Sequence, residues 1–104
     1  MKIYKKLVRD KIPQIIEEDV KECEVRIASK EEQYELLLKK LHEEVNEFIE
    51  DKNLEELADV MEVVFGLARY LGYSEEELMR KREEKRKERG GFLDGIVLEK
   101  VWEK

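Results

Sequence analysis

The stretch that decides the fold is Glu43–Asp59, EEVNEFIEDKNLEELAD. Its apolar residues Val45, Phe48 and Ile49 continue a helical spacing begun by Leu37, Leu38 and Leu41. Asp51-Lys52-Asn53 interrupts that spacing, and Leu54, Leu57 and Ala58 open a new one, so the segment predicts two helices joined by a short loop. Each helix carries two acids three residues apart: Glu44 with Glu47, and Glu56 with Asp59. At about 100° per residue the members of a pair lie roughly 60° apart. Glu44 falls beside Leu37 and Phe48, and the second pair falls beside Val60 and Val63. Two antiparallel helices with so short a connection bring both pairs to one groove, where an acidic stripe meets an apolar arc.

Outward from this centre the chain reads as helices with marked ends. Pro13 fits the first turn of a helix running into Glu18. Cys23–Ala28, CEVRIA, alternates and has β-branched residues, the pattern of a strand. Ser29, followed by Lys30, Glu31 and Glu32, opens the second helix, expected to about Glu50. Asn53 caps a third from Leu54 to about Leu71, which Gly72 ends. Ser74 and Glu77 make a capping box for a fourth, which continues through Arg89 to Gly90-Gly91. The tail, Phe92–Trp102, predicts a turn at Asp94-Gly95 and a short strand pairing with Cys23–Ala28. The third helix is apolar around most of its circumference, and a chain with three or four helices can hardly bury it alone. The expected fold is therefore mainly α: one domain, residues 1–104, a four-helix bundle completed by homodimerisation or a higher homo-oligomer, with a small C-terminal β element.

Composition narrows the function classes. Of 104 residues 46% are charged and 41% hydrophobic, too apolar and too regularly patterned for a disordered polyelectrolyte. The net charge of -6 and a pI near 5.0 argue against nucleic-acid polymers as partners. Cys23 is the only cysteine, so no intrachain disulfide forms. The opening MKIYKKLVRDKIPQII lacks the apolar core of a signal peptide, and no apolar run approaches the ~20 residues that span a bilayer. A cytoplasmic protein without a membrane partner is expected.

Four carboxylates in one groove repel each other, and loss of solvent worsens the repulsion. Internal salt bridges look like a poor remedy: Lys39–Glu43 and Lys40–Glu44 place lysine first, the less favourable order, and Glu43–Glu47 is a like-charge pair. Oxygen-only donors, without histidine or cysteine pairs, suit a hard cation, Mg²⁺ or Mn²⁺. The plain alternative is a solvated acidic face on a non-catalytic helical protein, or one that binds a structural cation.

The two motifs, E-E-x-x-E at Glu43, Glu44 and Glu47 and E-x-x-D at Glu56 and Asp59, resemble the signature of the all-α nucleoside triphosphate pyrophosphohydrolases, the MazG-like superfamily. The opening KLVRDKIP (Lys6–Pro13) and the closing RGGF (Arg89–Phe92) resemble a small house-cleaning subfamily. The distance from Glu47 to Glu56 is shorter than in the MazG proteins proper. The resemblance implies Mg²⁺-dependent hydrolysis of a nucleoside triphosphate to the monophosphate and pyrophosphate, with non-canonical nucleotides as substrates. It implies Glu44, Glu47, Glu56 and Asp59 as metal ligands, and Glu43 as the residue that orients or deprotonates the attacking water, with Glu47 also counted in the catalytic set. Phosphoribosyl-ATP pyrophosphohydrolase of histidine biosynthesis belongs to the same superfamily. The short inter-motif distance and the RGGF ending argue against that activity.

Cations for the phosphates come from two places. On the fourth helix Lys81, Lys85 and Arg89 recur every four residues with Arg82 beside them, either a phosphate clamp or an ordinary solvated face. Gly90-Gly91 allows close backbone approach to a ligand, or simply ends the helix. Near the start, Lys6, Arg9, Asp10 and Lys11 form a second polar cluster: Arg9 or Lys11 to reach phosphate, Asp10 to bond a base or support an arginine. His42 is expected at the surface, Cys23 as a small buried residue and Trp102 in the core.

Overall fold

Three of the four helices start on a side chain that satisfies an orphan backbone donor, and these caps set the element boundaries. The computed structural model describes residues 1–104. It contains α1 (Ile12–Glu18), α2 (Lys30–Asp51), α3 (Leu54–Tyr70) and α4 (Glu75–Arg89). Ser29 Oγ accepts from Glu32 N–H at 3.2 Å, Asn53 Oδ1 from Glu56 N–H at 2.8 Å, and Ser74 with Glu77 closes a reciprocal capping box. Each acidic first turn adds a favourable charge at the positive end of its helix.

Only Lys52 and Asn53 separate α2 from α3. Lys52 takes the left-handed conformation (φ 54°), and its N–H closes α2 on the Phe48 carbonyl at 2.8 Å. With Asn53 already extended as the cap of α3, the chain reverses within two residues, and α2 and α3 form an antiparallel hairpin. Along the hairpin Leu37 sits against Gly66; a Cβ at Gly66 would meet Leu37 Cδ2 at 3.2 Å, so the glycine sets how closely the helices approach. At the open end Tyr34 and Tyr70 stack with ring centroids 5.0 Å apart.

The rest of the chain adds little to this core. Four side chains are buried in all: Leu37, Val63, Ala68 and Glu44. Helix α1 packs on no other helix, and α4 meets only α3, with Leu78 its one residue that is not exposed. The four-helix bundle is thus not closed within one chain, although the chain is mainly helical as expected. Neither Cys23–Ala28 nor Phe92–Trp102 is a strand, and the two backbones do not pair within the chain. The turn at Asp94-Gly95 does form, with Gly95 N–H on the Phe92 carbonyl at 3.4 Å and Gly95 at φ 61°. Trp102 is 78% exposed rather than in a core, and Cys23 is only half-buried.

The dimensions follow. The radius of gyration is 18.5 Å, against about 13 Å for a compact chain of this length. The accessible surface is 10225 Å², against roughly 6,200 Å² for a compact monomer of this mass. No helix is long and apolar enough to cross a membrane.

Candidate metal centre

The two-residue joint brings the acid pairs together. Carboxylate oxygens of Glu43, Glu44 and Glu47 lie within 4.8 Å of one another, and so do those of Glu44, Glu56 and Asp59. Glu44 belongs to both triads. It is also the one buried charged residue of the chain, 6% exposed, which is what its place between Leu37 and Phe48 on the inner side of α2 dictates. Glu56 is fixed differently: its backbone N–H is held by the Asn53 cap, so the residue that starts α3 also sets one wall of the groove.

The carboxylates are incompletely neutralised by protein groups. Lys40 Nζ reaches Glu44 Oε1 at 3.3 Å and Glu43 Oε1 at 3.6 Å, and Arg9 donates from Nη2 to Asp59 Oδ1 at 2.6 Å. Lys6 approaches Glu43 at 4.0 Å. Glu44 Oε2 and Glu56 Oε2 are buried with no hydrogen-bond partner. At Glu44, the residue that is itself buried, an acceptor without a partner costs on the order of 1–3 kcal/mol, more for a charge. The strain appears as proton affinity. Loss of solvent, then the charge of Glu44, a hydrogen bond shared with it, and the charges of Glu56 and Glu43 raise the Glu47 carboxyl above its ordinary value. Glu56 is raised as well, by loss of solvent first and then by Asp59, Asp51, Glu44 and Glu55. It sits in the first turn of α3, where the helix favours an anion, yet loss of solvent and then the neighbouring acids raise it.

Not every expected site residue is at this groove. Glu43, Glu44, Glu47, Glu56, Asp59, Lys6 and Arg9 converge on it. Asp10 and Lys11 are exposed, and Lys11 occupies the N-cap of α1 without a capping bond. Lys81 bonds to Glu84 on its own helix at 3.0 Å, and Arg82, Lys85, Arg89, Gly90 and Gly91 are exposed with no bond to the groove. The α4 cations therefore form no clamp within the same chain, because α4 leaves the hairpin at the end opposite the acids.

Lys40 corrects the sequence reading. It stands three and four residues before Glu43 and Glu44, and the less favourable lysine-first order does not stop it from pairing with both, because the groove holds acids in excess. A cleft of about 120 Å³ opens beside it, lined by Lys5, Lys6, Leu7, Leu36, Lys39, Lys40 and Glu43. Lys5 is an addition to the expected residues, and Lys39 lines the cleft without pairing with Glu43; KK at Lys5-Lys6 and at Lys39-Lys40 is the signal that marks them.

No protein-family model, curated protein or solved structure matches the chain. The site's chemistry is read from its own residues. All donors are carboxylate oxygens and two of them are orphaned, a set that fits a hard divalent cation with vacant positions for water or phosphate oxygen.

Proposed function

We propose that this chain is a Mg²⁺-dependent nucleoside triphosphate pyrophosphohydrolase that works as a homo-oligomer, with Mn²⁺ able to replace Mg²⁺. The reaction is a hydrolysis: one phosphoanhydride bond breaks, water supplies the new P–O bond and a proton, and the products are the nucleoside monophosphate and pyrophosphate. Non-canonical nucleotides are the proposed substrates, in keeping with the KLVRDKIP and RGGF resemblance. The observation that carries the reading is Glu44: a buried carboxylate shared by two acid triads, with one oxygen left without a partner.

Glu44, Glu47, Glu56 and Asp59 would hold the cation. When bound, it supplies positive charge against the phosphates and lowers the cost of a developing negative charge on the leaving group. Glu43, at the rim of the groove and half-exposed, is placed to orient the attacking water and accept its proton. The lysine cleft is the phosphate seat that α4 does not provide in the same chain: Lys5, Lys6 and Lys39 line it together with Glu43, which also belongs to the acidic groove. Arg9 now pairs with Asp59 and is free to turn to a phosphate once a cation takes that carboxylate.

A second reading has one observation in its favour. Lys40, Arg9 and Lys6 are the partners that a purely structural acid cluster would recruit. Measuring pyrophosphate release across normal and damaged nucleoside triphosphates, with phosphoribosyl-ATP included, separates the readings. The hydrolase requires release that depends on Mg²⁺ or Mn²⁺ and is lost in Glu47→Gln. If no nucleotide is cleaved, and Glu47→Gln alters stability alone, the structural reading holds; preference for phosphoribosyl-ATP would move the activity to histidine biosynthesis.

A further inference from the structure

The surplus surface of the chain is too large for one flat patch to cover. The excess over a compact monomer is roughly 4,000 Å². A standard protein interface removes about 800 Å² from each partner, and a large obligate one about 2,500 Å². An element that wraps covers more than one flat patch, and the chain carries such an element. Beyond Tyr73 the polypeptide consists of α4, exposed on every side except at Leu78, and an extended tail. Seven large apolar side chains between Phe92 and Trp102 are 78–101% exposed. The α2–α3 hairpin shows the converse, apolar residues such as Ile49, Leu54 and Met61 facing outward at 50–82% exposure.

Charge assigns the occupant. Lys30–Tyr70, the hairpin, holds 12 Asp and Glu against 5 Lys and Arg, a net charge of -7. Arg80–Arg89 holds 7 Lys and Arg against 3 Glu, a net charge of +4. One chain thus carries both an acidic hairpin with uncovered apolar residues and an arm whose cationic stretch, Arg80–Arg89, and apolar tail lie away from that hairpin, Glu75–Glu77 confining the positive charge to the far part of α4. We propose that the arm, α4 with Phe92–Trp102, wraps the α2–α3 hairpin of a second copy, and that the exchange is reciprocal. This rests on the homo-oligomer proposed above and specifies how it is built. The exchange covers apolar surface on both elements and brings the cationic stretch Arg80–Arg89 to the acidic hairpin, so the nucleotide site is completed by the neighbouring copy.

The test uses the full chain. Light scattering at micromolar concentration should give at least about twice the 12.5 kDa chain mass, with the single tryptophan, Trp102, emitting as a buried indole. Copies labelled with ¹⁴N and ¹⁵N, mixed by unfolding and refolding, are then treated with a lysine cross-linker. Links from Lys85 or Lys100 to Lys39, Lys40 or Lys52 should appear in mixed-isotope form, which only links between copies produce. Trp102→Ala should move the dissociation midpoint at least tenfold higher in concentration. A monomeric mass overturns the oligomer and the exchange together. An oligomer with water-exposed Trp102 emission, or with arm-to-hairpin links only within one copy, overturns the exchange and leaves the oligomer standing.

Discussion

The α2–α3 hairpin and the α4 arm are built from the same kind of sequence, rich in Lys and Glu with helix caps at their starts, yet they end in opposite states. The hairpin contains all four buried side chains; the arm contains none. The difference lies in where the apolar residues stand. In α2 and α3 they recur at helical spacing and two helices share them, whereas Glu75–Arg89 carries only Leu78 and Met79. Caps and alternating charges suffice to start and hold a helix, but burial requires a stripe. The comparison also explains the acids. Charged residues on α4 remain in solvent and pair locally, as Lys81 does with Glu84, while Glu44 is carried into the hairpin by the apolar residues on either side of it.

The largest effect expected from this contrast is at Glu44. Glu44→Gln should lower pyrophosphate release by on the order of 10²–10³, because it removes a charge common to both triads. The same change should raise metal-free stability, by about 1 kcal/mol, since an amide costs less to bury than a carboxylate with an unpartnered oxygen. Calorimetric unfolding in chelator checks the sign. A fall in stability would mean that the Lys40 pair outweighs the burial, and the groove would then be a structural ion pair. The corresponding change on the arm, Glu84→Gln, should leave both quantities nearly unmoved, its partner pair being exposed.

Next in size is packing. Leu37→Ala should cost about 2–4 kcal/mol, because Leu37 is 7% exposed and fills the contact with Gly66. Met79→Ala, at a position 40% exposed, should cost under about 0.5 kcal/mol within one chain. Denaturant titrations at several protein concentrations sharpen the comparison. A Met79→Ala penalty that grows with concentration assigns the arm's burial to an assembly; equal, concentration-independent penalties at both positions would remove the distinction between hairpin and arm.

The acids also set a pH dependence. Glu47 and Glu56 have folded-state proton affinities above the ordinary carboxylate value of 4.5. Raised carboxyls give stability that is fully present below the unfolded value and is lost as pH rises through the folded values. In chelator, unfolding temperature should therefore fall from mildly acidic pH toward neutrality, and Mn²⁺ should restore it most at the neutral end, where the cation meets ionised ligands. An unfolding temperature that climbs over the same range would show that Glu47 and Glu56 are not strained.

Much of this was readable beforehand, for reasons that can be stated. The helix starts at Ser29, Asn53 and Ser74 rest on local hydrogen bonds, so sequence suffices for them. The convergence of Glu44, Glu47, Glu56 and Asp59 follows from two periodicities and a short joint, which are again local. The placement of α4 is not local. Lys85 and Arg89 have the spacing of a clamp, but their distance from the acids depends on the direction α4 takes after Gly72, and no residue pattern encodes that. The pairing of Cys23–Ala28 with Phe92–Trp102, which does not form in one chain, is likewise a contact between segments far apart in sequence. Lys40 was legible and was discounted, because the intrinsic preference of an isolated helix gave the wrong weight to a lysine beside an excess of acid.

The smallest expected effect concerns Arg9, and it tests whether the groove is poised for a cation or satisfied without one. Arg9 and Asp59 are 54% and 34% exposed, so their 2.6 Å pair is screened and worth at most about 1 kcal/mol, roughly a fivefold change in an equilibrium constant. If Asp59 is a metal ligand, Arg9 competes with the cation, and Arg9→Gln should tighten Mn²⁺ binding by up to that factor in a calorimetric titration without nucleotide. The same substitution should weaken nucleotide binding, because Arg9 is then missing from the phosphates, so the two affinities move in opposite directions. A merely structural arginine moves neither in this way: its loss would loosen the N-terminal segment from the hairpin and lower unfolding temperature while Mn²⁺ affinity stayed fixed or fell. Opposite movement of the two affinities is the result that only a site shared between Arg9, a cation and phosphate produces.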